Sequence, residues 1–289
     1  MDLTIFTPTY NRAHTLPRVY DSLLRQTDKR FIWMIIDDGS TDSTAALVNN
    51  WIKQADITII YRYQENQGMH GAHNTAYNMI STRWNTCLDS DDLFLPEAVE
   101  HIYRAAADCP ESCTGIAFHN CDMNSDRIGT AFPDTETSTL YDLYRRHQVR
   151  GDKKLVYKSE WTRKWPYPLF DSERYVGLDY KYLNIDAKGP LYLCSEVICQ
   201  VDYQDDGSSK NMLRQYKRNP AGFSFYRKEM MKLPHAGIGF QYRNAIHYVS
   251  SSWLIRNRRF LNETPKKWLT AAAIPPGTML AGYIWWRNK

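Results

Sequence analysis

At 289 residues, 43% hydrophobic and 13% aromatic, the chain has enough apolar side chains to bury one large core or two unequal ones, which excludes a disordered polypeptide. It holds no run of about 18 or more apolar residues, and its opening MDLTIFTPTYNR lacks a basic-then-apolar leader, so a cytosolic protein without a spanning helix is expected. The formal net charge of +4 conceals a split: residues 209–289 carry 15 Lys and Arg against two acids, whereas the first 208 carry 21 against 30, which calls for different partners at the two ends.

In chain order, short β-branched or aromatic runs alternate with stretches of helical spacing. LTIFT (3–7), FIWMII (31–36), ITIIYRY (57–63) and RWNTCL (83–88) are predicted strands. Between them, helices are predicted for LPRVYDSLLRQ from Leu16, STAALVNNWIKQ from Ser43 and GAHNTAYNMIS from Gly71, with Asp42 or Ser43 capping the second. Strand and helix repeated in this way predict an α/β fold, a mostly parallel, Rossmann-like sheet with helices on both faces. Residues 122–172, with NSDRIGT, FPDTETST and YPLFDSE, read as turn-rich loops.

Ligands of such sheets bind beyond the carboxyl ends of the strands. Three polar clusters fall there: TPTYNR after the first strand, DDGSTD after the second and DSDD after the fourth. No Gly-rich phosphate loop is present, so the phosphates of a bound nucleotide need another neutraliser. Asp89, Asp91 and Asp92 crowd like charge into four positions, a cost that a cation relieves. Hard carboxylate oxygens suit Mg²⁺ or Mn²⁺, held by Asp89 and Asp91.

PTYNR, DDGSTD (37–42), ENQGMHGAHN (65–74) and LDSDD (88–92), in this order over residues 1–110, resemble the successive signatures of family 2 glycosyltransferases. Beyond them the likeness rests on YVGLDYKYL (175–183) and YQDDGSSKN (203–211), the latter seen in related bacterial surface-polysaccharide enzymes. The resemblance implies a GT-A fold and transfer of a sugar from a nucleotide diphosphate sugar, with a UDP-sugar as the expected donor and inversion at the anomeric carbon. It implies that Pro8, Thr9 and Tyr10 form the floor and wall for the base, and that Asp38 accepts a hydrogen bond from uracil. It further implies that Thr7, Arg12, Asn66, Gly68, His70, Asn74 and Ser90 line the donor. Asp89 and Asp91 are the D-x-D pair on ribose and metal, with Asp92 assisting. Asp179 stands where the family draws its general base; the residue before it, commonly Glu, is Leu178 here, so this role rests on one carboxylate. Asp205 and Asp206 are the next candidates.

Expected domains are a catalytic part over 1–208, with a nucleotide-sugar half (1–110) and an acceptor half (111–208), and a basic, aromatic-rich helical region over 209–289. In that rear region Arg256, Arg258, Arg259, Lys266 and Lys267 mix with Trp253, Phe260, Trp268, Trp285 and Trp286, which suits an anionic bilayer surface or, equally, a basic helix packed on its own domain. WLTAAAIPPGTMLAGYIWW is interrupted by Pro275, Pro276 and Gly277, which argues against a span. A cytoplasmic enzyme, peripheral on the inner face of the cell membrane and adding one sugar to a lipid-diphosphate-linked saccharide, is therefore expected. The alternatives are a sugar-nucleotide nucleotidyltransferase and a non-catalytic nucleotide- or sugar-binding protein. No nucleic-acid-binding fold is recognised. Six cysteines are too few for a disulfide framework in a chain this long. Cys109, Cys113, His119 and Cys121 lie within reach of a zinc spacing, but TGIAF between them reads as a buried strand. His70 and His73 lie either near the donor or on a surface helix.

Overall fold

The computed structural model describes residues 1–202 and 212–287. The chain divides into two compact units, one of Met1–Pro166 with Lys181–Gln204, the other of Tyr167–Tyr180 with Asp205–Lys289.

The first unit begins with β1 (Leu3–Thr9), α1 (Leu16–Leu24), β2 (Phe31–Asp37), α2 (Thr44–Gln54), β3 (Thr58–Tyr63), α3 (Met69–Met79) and β4 (Trp84–Cys87). β1 is buried at every position, as a central parallel strand covered on both faces must be. Its registers are parallel on both sides, Ile5 lying opposite Trp33 on β2 and Thr86 on β4. Of the two predicted caps of α2, Ser43 takes the N-cap position without a side-chain bond, and Asp42, one residue before it, supplies the bond. Its Oδ1 accepts the Thr44 N–H at 3.0 Å, while Oδ2 accepts Ala13 N–H at 3.1 Å and so ties α2 to the loop after β1. Under the sheet, Tyr20 stacks on Trp51 at 4.4 Å between ring centroids and Trp51 on Trp33 at 5.8 Å, joining both helices to β2.

The chain continues through β5 (Leu93–Phe94), α4 (Ala98–Asp108), β6 (Gly115–Cys121), β7 (Thr137–Ser138), α5 (Leu140–Arg145), β8 (Lys153–Lys158), α6 (Ser159–Thr162), α7 (Asp179–Ile185) and β9 (Leu191–Gln200). Among the described residues these form one nine-stranded sheet in the order β3-β2-β1-β4-β8-β6-β9-β5, with β7 on β9. The sheet is parallel through β3, β2, β1 and β4, antiparallel at β4–β8 and β8–β6, and parallel again at β6–β9. TGIAF does lie in a fully buried strand. The stretch expected to be loops instead contains β7, α5, β8 and α6. KKLVYK had hidden its strand, because Lys153, Lys154 and Lys158 read as surface residues yet are all buried.

In the second unit, α8 (Met212–Arg218), α9 (Pro220–Met230), α10 (Ile238–Leu254), α11 (Phe260–Glu263), α12 (Lys267–Ala272) and α13 (Ile274–Arg287) follow one another. Tyr167–Tyr180 groups with these helices, whereas the sequence reading kept it with residues 111–208. The reason is a cap: the Glu173 carboxylate accepts the N–H groups of Ala221 at 2.8 Å and Gly222 at 2.7 Å at the start of α9, where the helix dipole favours an anion. Pro275 and Pro276 open α13 from within its first turn, where their missing N–H groups cost nothing. α13 buries Gly277, Ala281 and Ile284. A Cβ at Gly277 would come within 2.6 Å of Val249 Cβ on α10, so the close approach of these helices requires glycine. No helix among the described residues is long and apolar enough to cross a membrane.

Candidate active site

The parallel register brings the ends of β1, β2 and β4 to one edge of the sheet. Two loops there are latched together. Asn11, at φ +53, donates its N–H to Ser40 Oγ at 2.8 Å and accepts the Thr41 N–H on Oδ1 at 2.8 Å. Of the residues expected to hold the base, Tyr10 is half exposed, whereas Pro8 and Thr9 are buried. Thr7 is fully buried and its hydroxyl receives Trp33 Nε1–H at 2.9 Å, a core contact.

The two acids at the end of β2, Asp37 on the strand and Asp38 just past it, are buried and saturated by donors. Asp37 accepts the Tyr61 hydroxyl at 2.6 Å and Ser40 N–H at 2.8 Å. Asp38 accepts Gln64 Nε2 at 2.7 Å, Gln67 N–H at 2.9 Å and Gly68 N–H at 2.8 Å. Asp38 thereby fixes the loop that carries Asn66 and turns through Gly68, at φ +81, into α3. On that helix His70 and His73 are buried while Asn74 is half-buried. His73 Nδ1 lies 2.9 Å from the Met69 carbonyl and its ring meets Phe6 edge-on at 5.1 Å. Burial lowers the His73 pKa to about 4.

The turn after β4 is different. Asp89 and Asp91 are half-buried, Ser90 and Asp92 buried. Asp92 N–H closes the turn on the Asp89 carbonyl at 3.2 Å. Burial and then the charge of Asp89 hold Asp91 above the usual carboxylate range, with Arg12 opposing. Asp92 lies 3.6 Å from Lys154 Nζ. Its pKa too is raised, by burial foremost and by Asp89 and Asp91, against the pull of Lys154. No three His, Cys, Asp or Glu side chains form a metal-binding group among the described residues, the Cys109–Cys121 segment included. The donor set of Asp89 and Asp91 nonetheless fits Mg²⁺ or Mn²⁺, because such ions take one or two carboxylates and complete their shell with phosphate oxygens and water.

In the second unit, Asp179 is exposed in the first turn of α7. Its Oδ2 accepts the Tyr226 hydroxyl at 2.6 Å. Burial and the Asp179 charge push the Tyr226 phenol well above its ordinary pKa, so it stays a donor. A Cβ at Gly177 would lie 3.1 Å from Asp179 Oδ1, so glycine leaves that oxygen room. Sequence reading missed both Tyr226 and Lys154, since neither sits in a motif and each meets its acid only through folding. Asp205 and Asp206 lie outside the described residues.

The fold has solved counterparts. S. aureus TarS (residues 1–349), in complex with UDP-GlcNAc, superposes with a TM-score of 0.63 over 97% of this chain and 82% of its own, at 15% identity. The mannosyltransferase PcManGT from Pyrobaculum calidifontis, in complex with GDP-Man and Mn²⁺, gives 0.58 over 100% and 88%, at 16% identity. At such identities the likeness speaks for the GT-A fold. The chain belongs to glycosyl transferase family 2, whose pattern matches residues 4–163. It is 34% identical over 208 residues to glycosyltransferase GlyA of Streptococcus pneumoniae serotype 4, a match covering 68% of this chain and 29% of GlyA. It is 28% identical over 172 residues to the succinoglycan biosynthesis protein ExoO of Rhizobium meliloti, covering 59% of this chain and 47% of ExoO. The chain thus spans less than half the length of either relative.

Proposed function

We propose that the protein transfers a sugar from a nucleotide diphosphate sugar, a UDP-sugar by preference, to a saccharide hydroxyl with inversion. The observation that carries this reading is the Asp89 and Asp91 pair at the carboxyl end of β4 in a family 2 chain. These two carboxylates hold a divalent cation, Mn²⁺ or Mg²⁺, which when bound neutralises charge on the leaving diphosphate. Tyr10 and the Asp38-fixed loop border the nucleotide. Asp179 takes the proton of the acceptor hydroxyl, with Tyr226 holding one carboxylate oxygen and Oδ1 left to act as base. Incubation with UDP-, GDP- and dTDP-sugars plus Mn²⁺ tests the reading. Release of a nucleoside diphosphate is expected; synthesis of a sugar nucleotide from a triphosphate overturns it.

The same reading places the enzyme on the inner face of the cell membrane, extending a lipid-linked saccharide in surface polysaccharide assembly. Its support is α13. Gly277, Ala281 and Ile284 face inward, while Met279, Tyr283 and Trp286 repeat with the same spacing on the exposed side, Met279 at 77% and Trp286 at 62% exposure. Trp268 on α12 is 91% exposed, and Lys266, Lys267 and Arg287 are exposed nearby in the chain. Aromatic and basic side chains together suit an anionic bilayer boundary. Phe260, by contrast, is buried. Sedimentation with anionic vesicles should retain the protein at low salt and release part of it as salt screens the attraction. Equal retention by a Trp268→Ser, Met279→Ser, Trp286→Ser variant would remove this surface from the reading.

A further inference from the structure

Lys154 is the least expected charged group in the first unit. Its residue is 7% exposed, in a strand whose pattern gave no sign of burial. β8 runs antiparallel to β4 with Val156 opposite Thr86, which carries Lys154 to the level of the turn that follows β4. Its Nζ donates to the Cys87 carbonyl at 3.2 Å and lies 3.6 Å from Asp92 Oδ2. Asp92, 5% exposed, is engaged wholly from within: besides Lys154, the Cys199 thiol lies 3.9 Å from Oδ2 and the Asp202 main chain donates to its carboxylate. Asp89 receives the weak Cys87 thiol at 3.4 Å, and neither Asp89 nor Asp91 has an ion pair among the described residues.

Removing a buried lysine from water is costly unless a carboxylate and hydrogen-bond acceptors surround it. Lys154 has both, and the turn gains a fixed positive charge behind its acids. Counted as ionised, three carboxylates less one ammonium leave two negative charges, the complement of one divalent cation. Arg12 and Asp202, the other charged neighbours of Asp91, are of opposite sign, and Asp202 is itself paired with Arg18 at 2.8 Å.

We propose that Lys154 is a positioning residue, the resident counter-charge of the D-S-D-D turn, which claims Asp92 and leaves Asp89 and Asp91 as the cation-binding pair. The inference rests on the donor-site reading above, and it reassigns Asp92 from metal ligand to partner of Lys154. It also lowers the repulsion among three acids in four positions: one is paired with Lys154, and only two remain to repel each other.

The test is a double-mutant cycle of Lys154→Met and Asp92→Asn in the full chain, with Lys154→Arg as the conservative variant. Thermal unfolding is followed with and without Mn²⁺, and Mn²⁺ is titrated calorimetrically in the presence of UDP at mildly alkaline pH. A fixed cation near the metal weakens metal binding, so Lys154→Met should lower the unfolding temperature in EDTA yet bind Mn²⁺ more tightly, by roughly tenfold. Lys154→Arg should keep the parental Mn²⁺ affinity. Asp92→Asn in the Lys154→Met background should recover part of the lost stability and return the Mn²⁺ affinity toward the parent's. That double variant also serves if Lys154→Met alone does not fold. Weaker Mn²⁺ binding in both Lys154→Met and the double variant would reduce Lys154 to a packing role and overturn the proposal. So would loss of Mn²⁺-enhanced UDP binding in Asp92→Asn as complete as in Asp91→Asn. If the parent itself shows no Mn²⁺-enhanced UDP binding, the donor-site reading fails, and the unfolding data decide separately: non-additive single variants support the Lys154–Asp92 pair, additive ones overturn it.

Discussion

The loops after β2 and β4 are both acidic and both end parallel strands, yet their carboxylates are used in opposite ways. Asp37 and Asp38 are buried and saturated by hydroxyl, amide and main-chain donors, so they shape the backbone that leads into α3. Asp89 and Asp91 are half-buried and short of donors, with one neighbouring acid taken by Lys154. Carboxylates that satisfy one another's loops are structural, whereas those left under-compensated at a strand end store an electrostatic cost that a ligand relieves. Sequence proximity alone does not separate these cases, since DDGSTD and DSDD look alike.

The sharpest break between the two loops is Asp91→Asn. Mn²⁺-enhanced UDP binding should fall by roughly 10²-fold or more in calorimetry, because one of two protein ligands is lost. Unfolding temperature in EDTA should hold or rise as like-charge repulsion is relieved. A fall in stability with intact Mn²⁺ coupling would make the two loops equivalent.

Asp179→Asn extends the comparison to an acid with a single strong donor. Transfer should slow by about 10²-fold or more while UDP and Mn²⁺ affinities stay within a few-fold, as expected for a proton acceptor. Tyr226→Phe should slow transfer less, by roughly tenfold, because Asp179 loses the hydroxyl that holds one of its oxygens in place. An unchanged transfer rate would leave Tyr226 with packing alone.

Asp38→Ala reverses the pattern of Asp91→Asn. With the N–H groups of Gln67 and Gly68 deprived of their acceptor, stability should drop by about 2–4 kcal/mol in denaturant titration. UDP affinity should weaken as a consequence while its Mn²⁺ enhancement persists. Unaltered stability would return Asp38 to a purely ligand-facing role.

Protonation is the remaining lever. His73 is held neutral by burial, at about 4 against its ordinary value of 6.5. A depressed folded pKa contributes stability that is fully present above 6.5 and is lost as pH falls toward 4, because the unfolded chain takes up the proton first. The slope from this group is about 1.4 kcal/mol per pH unit. His73→Phe, which keeps a ring against Phe6, should flatten the unfolding midpoint between these limits. A slope unchanged by the substitution would assign the acid sensitivity elsewhere.

By itself the sequence determined the alternation of strand and helix through α3 and β4, the polar clusters at the strand ends and the family signatures. These are local properties: hydrophobic period, caps and turn residues act within a few positions of one another. Only the tertiary structure decided that Asp38 is saturated while Asp91 is not, that Tyr226 donates to Asp179, and that KKLVYK is a buried strand delivering Lys154 beneath Asp92. It also decided that Pro275 and Pro276 start a helix and that Tyr167–Tyr180 belongs with α9. Each of these depends on partners far apart in the chain. A residue's spacing predicts which face it occupies, but its charge balance and hydrogen-bond count are set by whatever the fold brings against that face.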